Sequence, residues 1–517
     1  MFKSLSPSTK KKIISLENLS YIKNKHKNEK IIMCHGVFDV VHPGHIRHFL
    51  FAKSKANILV VSCTSDKFIN KGIYRPHVPE KLRAFNLAVL EMIDYVIIDN
   101  AKKPLNLITK LKPNFFAKGF EYNKNQEQSH ETKEEIDLVE SYGGEMIFTP
   151  GDIVFSSSKI IDKLTPKIDD EKLLYLIEHN NIKFEKLEEI IKNFKKLKVH
   201  VVGDTIVDTY TNTNFIVGQS KTPTFSLLYE SEKNFIGGAA IVALHLKSAG
   251  AKVRFTSLIG KDKLGTHVAQ ALKKQKIILN LMVDKKRPTV NKNLISSGEY
   301  KLVKIDKIDN SPINNSQLIQ ILNSIKKSKE DIIILSDFRH GIFNNFNIDK
   351  INKSIPSRLF KVADSQVASR WGNITLFKNF DLLTPNEREA RFALADQDST
   401  VGNLANSIYQ KTNCKNQILK LGDKGVFCLS ANSKKNKDNY FSLNSFLEKR
   451  DLVDAVGAGD ALLAYSSLSL KLSNCLISAA IIGSLAASCA CENIGNKPIS
   501  SNKVLEKLNK IKMRLKV

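Results

Sequence analysis

Short apolar runs alternate with helical stretches along this chain in two separate series, and that rhythm restricts its fold more than any other feature. In the first series "IIMCHGVFDV" (31–40), "NILVVSC" (57–63) and "MIDYVIID" (92–99) are separated by "IRHFLFAKSKA" and "PEKLRAFNLAVLEM". Runs apolar on both faces, with helical segments between them, are what a parallel sheet covered by helices on either side requires. A second series starts at "KLKVHVVGD" (196–204) and continues through "KVRFTSLIG", "DIIILSD", "LFKVADS", "DLLTPNE" and "QILKLGDKGVFCLS". Two α/β domains are therefore predicted, over 1–165 and 196–517. Between them 166–195 is charge-rich, and "FEKLEEIIKNFKKL" puts Phe184, Leu187, Ile191 and Phe194 on one helical face, so this stretch reads as a helical linker. A length of 517 residues at 42% hydrophobic content is enough for more than one core. The polar "SKKNKDN" at 433–439 reads as an exposed loop.

The formal net charge of +27 comes mostly from lysines spread along the chain. No aromatic-and-arginine platform or zinc-finger spacing accompanies it, so phosphorylated small molecules, not nucleic acid, are the expected partners. The seven cysteines are odd in number and dispersed, which suits buried thiols in a reducing compartment. "MFKSLSPSTKKK" has no apolar leader segment, and "CLISAAIIGSLAASCAC" is short, rich in small residues and broken by serines. It reads as a helix packed inside a domain and not as a membrane span, and the expected location is cytoplasmic.

Two stretches carry chemistry. In "MCHGVFDVVHPGHIRHF", His42, Pro43, Gly44 and His45 follow a strand and stand at the mouth of a helix. Proline suits a first helical turn and glycine lets a ligand come close, while the helix start offers unpaired N–H groups to a phosphate. His42 and His45 there can stabilise charge that moves during phosphoryl chemistry. A metal reading competes, because His42, His45 and His48 recur at three-residue spacing; it lacks a carboxylate or cysteine to complete the ligand set.

"GVFDVVHPGH" resembles the G-x-F-D…H-x-G-H signature of the cytidylyltransferase-like nucleotidyltransferases. "NKGIYRP", "EKLRAFNL", "FFAKGFEY" and "VFSSSKII" follow in that family's order, so the likeness covers about 28–165. It implies a Rossmann-like fold in which Gly36, Phe38, Asp39, Gly44, Lys71, Arg75, Lys118, Ser156, Ser157 and Ser158 hold the nucleotide, with Arg83 and Glu121 in matching motifs. It also implies in-line attack by a phosphate oxygen on the α-phosphate of a nucleoside triphosphate, helped by His42 and His45 and by Mg²⁺, with pyrophosphate leaving.

The second stretch, "DLVDAVGAGDALLAY", joins a Gly457-Ala458-Gly459 turn to Asp460 and an apolar helix, giving an anion cradle beside a candidate general base. With "VVGDTIVDTY", "FIGGAAIVALHLKSAGAKVRFTSLIGKDKLG", "LLTPNEREA" and "LKLGDKGVFCL" in order, 196–510 resembles the ribokinase-like (PfkB-type) carbohydrate kinases. The resemblance implies an α/β sandwich in which Asp460 is catalytic and Asp208, Gly237 and Gly238 contact the sugar. Asn386, Glu389, Lys420, Gly422, Gly425, Gly457, Ala458 and Gly459 would lie at the nucleotide. Mg²⁺ would come with ATP near Glu389 without direct side-chain ligands. Asp208 also reads as a turn or capping carboxylate.

The pair of halves is similar to the bifunctional heptose-7-phosphate kinase/heptose-1-phosphate adenylyltransferases, in which the kinase normally precedes. That likeness implies an ADP-heptose product for lipopolysaccharide or another surface glycan, and leaves open a homodimer through the kinase half. Three departures bear on the substrate. Ile241 stands where an asparagine amide is usual, a loss of about 1–3 kcal/mol at a polar ligand. "ADSQ" (363–366) replaces a D-P-K segment, and Val456 stands for a threonine. Two further readings therefore remain: a related enzyme with another sugar or acceptor, CTP-dependent or not, and a working transferase joined to a catalytically silent sugar-binding domain.

Overall fold

Residues Ile31 to Cys34 of the strand Ile31–Gly36 are all buried, alternately on its two faces, so helices must cover both sides of its sheet. Ile32, Cys34, Leu59, Val61 and Val96 are buried with Phe49 and Leu87 in one cluster, and Ile31, Met33, Val60 and Ile97 with Ile22, Ile108 and Leu111 in another. The computed structural model describes residues 7–69, 75–119, 130–149, 169–216, 224–366, 374–431, 440–447 and 451–515. Lys71, Glu121, Ser156, Ser157, Ser158 and the polar loop at 433–439 lie outside these, except that no more of that loop than its flanks is described. The chain divides into two compact units, the first built on Met1–Ile168 and the second on Asp169–Gln397 and Leu404–Val517.

In the first unit six parallel strands are ordered Ile13–Ile14, Tyr95–Asp99, Ile58–Thr64, Ile31–Gly36, Phe115–Lys118 and Glu145–Phe148. The chain leaves Ile31–Gly36 toward one edge and later returns to place Phe115–Lys118 on its other side. The strand order thus reverses at this pair, and open α/β sheets form ligand crevices at the carboxyl ends of strands where that happens.

The second unit contains a nine-stranded sheet, in the order Ile278–Asp284, Lys252–Gly260, Lys198–Gly203, Ile332–Asp337, Phe360–Ser365, Leu382–Leu383, Asn416–Lys420, Val426–Ser430 and Tyr440–Leu443. All neighbours are parallel except the last three strands, which pair antiparallel. A separate four-stranded sheet follows the order Tyr300–Lys307, Val290–Ser297, Thr205–Phe215 and Leu227–Gly238. Its strands mix threonine, asparagine and lysine with apolar residues, and Tyr300–Lys307 is exposed over most of its length.

The charge-rich stretch before the second series forms helices Asp169–His179 and Phe184–Lys192, and Leu173, Ile177, Phe184, Leu187, Ile191 and Phe194 are buried in the second unit's main core. That core is completed by helices Ala458–Ser473 and Leu476–Cys491. The latter is "LISAAIIGSLAASCAC", and its small residues allow close approach: a Cβ on Gly483 would stand 2.0 Å from Ser466 Oγ. No helix among the described residues is long and apolar enough to cross a membrane.

Gly203 closes the central strand where backbones crowd. A Cβ there would lie 2.1 Å from the Ser336 carbonyl oxygen and 2.7 Å from Ala239 Cβ. Neither neighbour can swing away, so Gly203→Ala is expected to destabilise the second unit by about 1–3 kcal/mol. Chemical denaturation followed by a probe confined to that unit would register the loss.

Candidate active sites

In the first unit the histidine motif is organised by a helix cap. His42 is extended (φ −137°) and its Nδ1 accepts from Gly44 N at 3.1 Å, opening helix Pro43–Lys53. An accepting Nδ1 places the ring proton on Nε2, so His42 is a neutral donor. The His42 and His45 rings lie 3.9 Å apart, and Phe38, at φ 48°, sets its ring edge-on to His45 at 5.2 Å. Gly36 must be bare beneath this arrangement, because a Cβ would stand 3.0 Å from the Phe38 ring. Gly36, Phe38, His42, Gly44 and His45 thus come together at one strand end.

Other predicted residues have different surroundings. Asp39 is buried and accepts from His77 N at 3.0 Å and Val78 N at 2.8 Å, tying down the loop that follows Arg75. Arg83 is fully buried: Nε donates to Val78 O at 2.9 Å, Nη2 to Thr64 O at 2.8 Å and Asp66 Oδ1 at 2.6 Å, and Nη1 to Val37 O. It is a strut between loops. Lys118, at the end of its strand, forms an ion pair with buried Glu135. His48 turns to Thr149, 3.3 Å from Nδ1 to Oγ1, and burial pushes its pKa down to about 4. Among the described residues no group of three or more histidines, cysteines and carboxylates is placed to hold a metal, so the three-histidine metal reading has no geometric support.

In the second unit the site lies beyond the carboxyl ends of the parallel strands. Lys420, last in Asn416–Lys420, donates to both oxygens of Asp364 at 3.0 and 3.1 Å, and Thr384 Oγ1 donates to Asp364 Oδ1 at 3.1 Å. Asn386 caps helix Glu387–Leu394 in a reciprocal box: its Oδ1 accepts from Glu389 N at 2.7 Å, while its own N and Nδ2 donate to the Glu389 carboxylate at 2.6 and 2.5 Å. Gly457 (φ 82°) opens helix Ala458–Ser473, and a Cβ on Gly459 would lie 3.4 Å from Lys420 Nζ. Ala458 N turns back to Ala455 O at 3.4 Å, whereas the amides of Gly459 and Asp460 sit in a first turn that has no internal acceptors for them. Gly422 and Gly425, both at positive φ, form the turn that immediately follows Lys420.

Asp460 stands in that first turn, buried, with its Oδ1 making no hydrogen bond. Burial and then the neighbouring Asp364 carboxylate raise its pKa to about 8, against the pull of Lys420. Glu389 is also pushed up to about 8, by burial first; Lys420 opposes this and Asp364 adds to it. Lys420 and Asp364 balance each other while Glu389 and Asp460 keep their protons, and a cation carried in on nucleotide phosphates would draw those protons off.

Asp208, on strand Thr205–Phe215, is raised by burial, less so because of Lys292 and Lys304. Gly237 faces it, since a Cβ there would lie 2.4 Å from Asp208 Oδ2. Gly238 (φ 61°) begins helix Ala239–Ser248, and Ile241 within that helix is fully buried in the apolar core. Two site residues escaped the sequence reading. Lys292, on Val290–Ser297, is half-buried within the electrostatic reach of Asp208 and Asp460, and its pKa is lowered by burial first and then by Lys304. Asn496 donates from Nδ2 to Asp208 Oδ2 at 2.7 Å. A lysine in a chain this basic, and an asparagine in no motif, carry no signal that would single them out.

Residues 196–502 match the pfkB family carbohydrate kinase model, and residues 33–163 match the cytidylyltransferase-like model. The bifunctional protein HldE of Helicobacter pylori (strain HPAG1) is 37% identical over 158 residues, 30% of this chain and 32% of that protein. That of Geobacter metallireducens is 36% identical over 167 residues, 31% of this chain and 32% of that protein. These matches therefore span about a third of each relative's length. Phosphofructokinase-2 from Escherichia coli, in a structure with potassium, superposes with a TM-score of 0.51 at 17% identity, over 61% of this chain and 99% of that one.

Asp460 makes a pH test available. Folded, its carboxyl keeps its proton up to about 8; unfolded, it releases it at about 4. The folded state binds more protons across that window, so this residue's contribution to stability is lost as pH rises. Asp460→Asn, which cannot ionise, is expected to raise the melting temperature of the second unit by about 2–8 °C at pH 9 and to have little effect at pH 4. Calorimetry at the two pH values would check the sign.

Proposed function

The chain belongs to the pfkB family of carbohydrate kinases, with a cytidylyltransferase-like domain ahead of the kinase domain, and from that premise we propose that it is a bifunctional sugar-phosphate kinase and sugar-1-phosphate nucleotidyltransferase. The observation that carries the kinase half is the Asp460 carboxylate: buried at a helix start, one oxygen without a partner, beside Lys420 and within electrostatic reach of Asp208. In this reading the positive charge that accompanies ATP lowers the raised pKa of Asp460 and frees its carboxylate, which takes the proton of a sugar hydroxyl as that oxygen bonds to the γ-phosphorus of ATP and the bond to ADP breaks. Asp208, Gly237 and Gly238 hold the sugar. The Gly457–Gly459 turn and Lys420 face the phosphates, with Gly422 and Gly425 toward the nucleotide. Mg²⁺ accompanying ATP supplies charge neutralisation, and Asn386 and Glu389 are the residues placed to order its waters.

In the first unit His42 and His45 steady the triphosphate while a sugar 1-phosphate oxygen attacks the α-phosphorus and pyrophosphate leaves. Gly36, Phe38, Asp39 and Gly44 shape that crevice, and Arg75, Lys118 and, outside the described residues, Lys71 and Ser156–Ser158 complete it. On the motif resemblance of the two halves we extend this reading to a heptose phosphate and an ADP-heptose product for lipopolysaccharide or another surface glycan, made in the cytoplasm. We place the functional halves at 1–165 and 196–517.

The two chemistries separate in one pair of variants. With heptose 7-phosphate and ATP, Asp460→Asn is expected to lower ADP formation by at least about a hundredfold and leave pyrophosphate release from the 1-phosphate unchanged. His45→Ala is expected to do the reverse. ADP formation insensitive to Asp460→Asn would remove the kinase mechanism, and pyrophosphate release with CTP in place of ATP would reassign the nucleotide. For assembly we propose a homodimer through the four-stranded sheet, where Leu228, Tyr229, Tyr300, Val303 and Ile305 are 49–73% exposed. Light scattering should give twice the 58.0 kDa chain mass, and Tyr229→Glu with Ile305→Glu should halve it.

A further inference from the structure

Ile241 offers the sugar side of the kinase site no polar atom, being fully buried in the apolar core. A side-chain amide reaches that side from a different part of the chain. Asn496 lies between helices Leu476–Cys491 and Ser501–Leu515, and its Nδ2 donates to Asp208 Oδ2 at 2.7 Å. An oxygen of Asp208 that accepts this bond orients the amide, with nitrogen toward Asp208 and oxygen away from it. That Oδ1 is buried, makes no hydrogen bond, and lies against the glycine turn ahead of Asp460: a Cβ on Gly457 would come within 2.1 Å of it. The residue as a whole is 8% exposed.

The loop is built to hold this side chain in place. Gly495, at φ 67°, packs where a Cβ would stand 2.8 Å from the Phe235 ring. Its N–H donates to Asp454 Oδ2 at 3.1 Å, and the same oxygen accepts from Tyr210 OH at 3.0 Å. Asn496 therefore spans from Asp208 and Gly237 to Gly457, joining the sugar strand to the phosphate turn. A buried acceptor left without a donor is costly, and in a ligand site the missing donor is commonly the ligand's own.

Resting on the kinase reading above, we propose that Asn496 is a specificity-determining residue of the sugar site: its Oδ1 accepts a hydrogen bond from a hydroxyl of the sugar phosphate while its Nδ2 fixes Asp208. The ligand class is a polyhydroxylated sugar phosphate with a hydroxyl beside the one that is phosphorylated. Removing the acceptor weakens sugar binding and also erases discrimination between sugars that have and lack that hydroxyl.

The test uses the full-length chain and ADP formation at saturating ATP, with heptose 7-phosphate and a panel of other sugar phosphates, including monodeoxy analogues of the best substrate. Asn496→Ala is expected to raise the sugar KM about 10- to 100-fold while the ATP KM stays within about twofold. It should also lose the wild-type preference for one hydroxylated sugar over its deoxy analogue. If the alanine variant does not fold, Asn496→Leu, which keeps the volume, gives the same readouts. A variant that keeps both the sugar KM and the preference overturns the role of Asn496 alone. A wild-type chain that turns over no sugar phosphate overturns the kinase reading and this proposal with it.

Discussion

The ion pair of Lys420 with Asp364 is the interaction on which the second unit's site depends. Both side chains are buried at the ends of adjacent parts of one sheet, and removing either would leave an uncompensated charge in a dry environment. Burial alone would pull the lysine's pKa down, but Asp364, Glu389 and Asp460 together more than reverse that and hold it charged. Burial first, and then the crowding of carboxylates around one ammonium, leaves Glu389 and Asp460 holding protons that exposed acids would lose. Positive charge brought in beside them would release those protons.

The site proposed for phosphate in the first unit is built by different means. Its most buried cation, Arg83, spends its hydrogen bonds on Val78, Val37, Thr64 and Asp66, fixing loops around the sheet ends. Its histidine motif is milder: a helix start, His42 acting as cap through its Nδ1, and the His45 ring tilted against it. Neutral donors and backbone amides suit a ligand whose charge is redistributed during reaction, because they stabilise negative charge without fixing where it sits.

Legibility followed hydrophobic pattern. Strands such as Ile58–Thr64 and Ile332–Asp337 are buried on both faces, so their composition announces them. The four-stranded sheet was hidden because its strands mix polar with apolar residues and Tyr300–Lys307 is largely exposed, which in sequence resembles loop. The helices at 169–192 looked like a linker because their charges are conspicuous, although their apolar faces are buried in the second core. Arg83 sat in a motif that matched the family without showing its role; its four backbone and side-chain partners reveal a strut.

The sequence by itself determined the two α/β series, the glycine turns and the position of the histidines and Asp460 at helix starts, because those depend on short-range periodicity and on residues adjacent in the chain. Tertiary structure alone decided that Lys420 meets Asp364 across 56 residues and that Asn496 meets Asp208 across 288. It also decided that Ile241 faces the core. These depend on which strand ends and loops converge in space, and on the desolvation that convergence imposes, neither of which local pattern encodes.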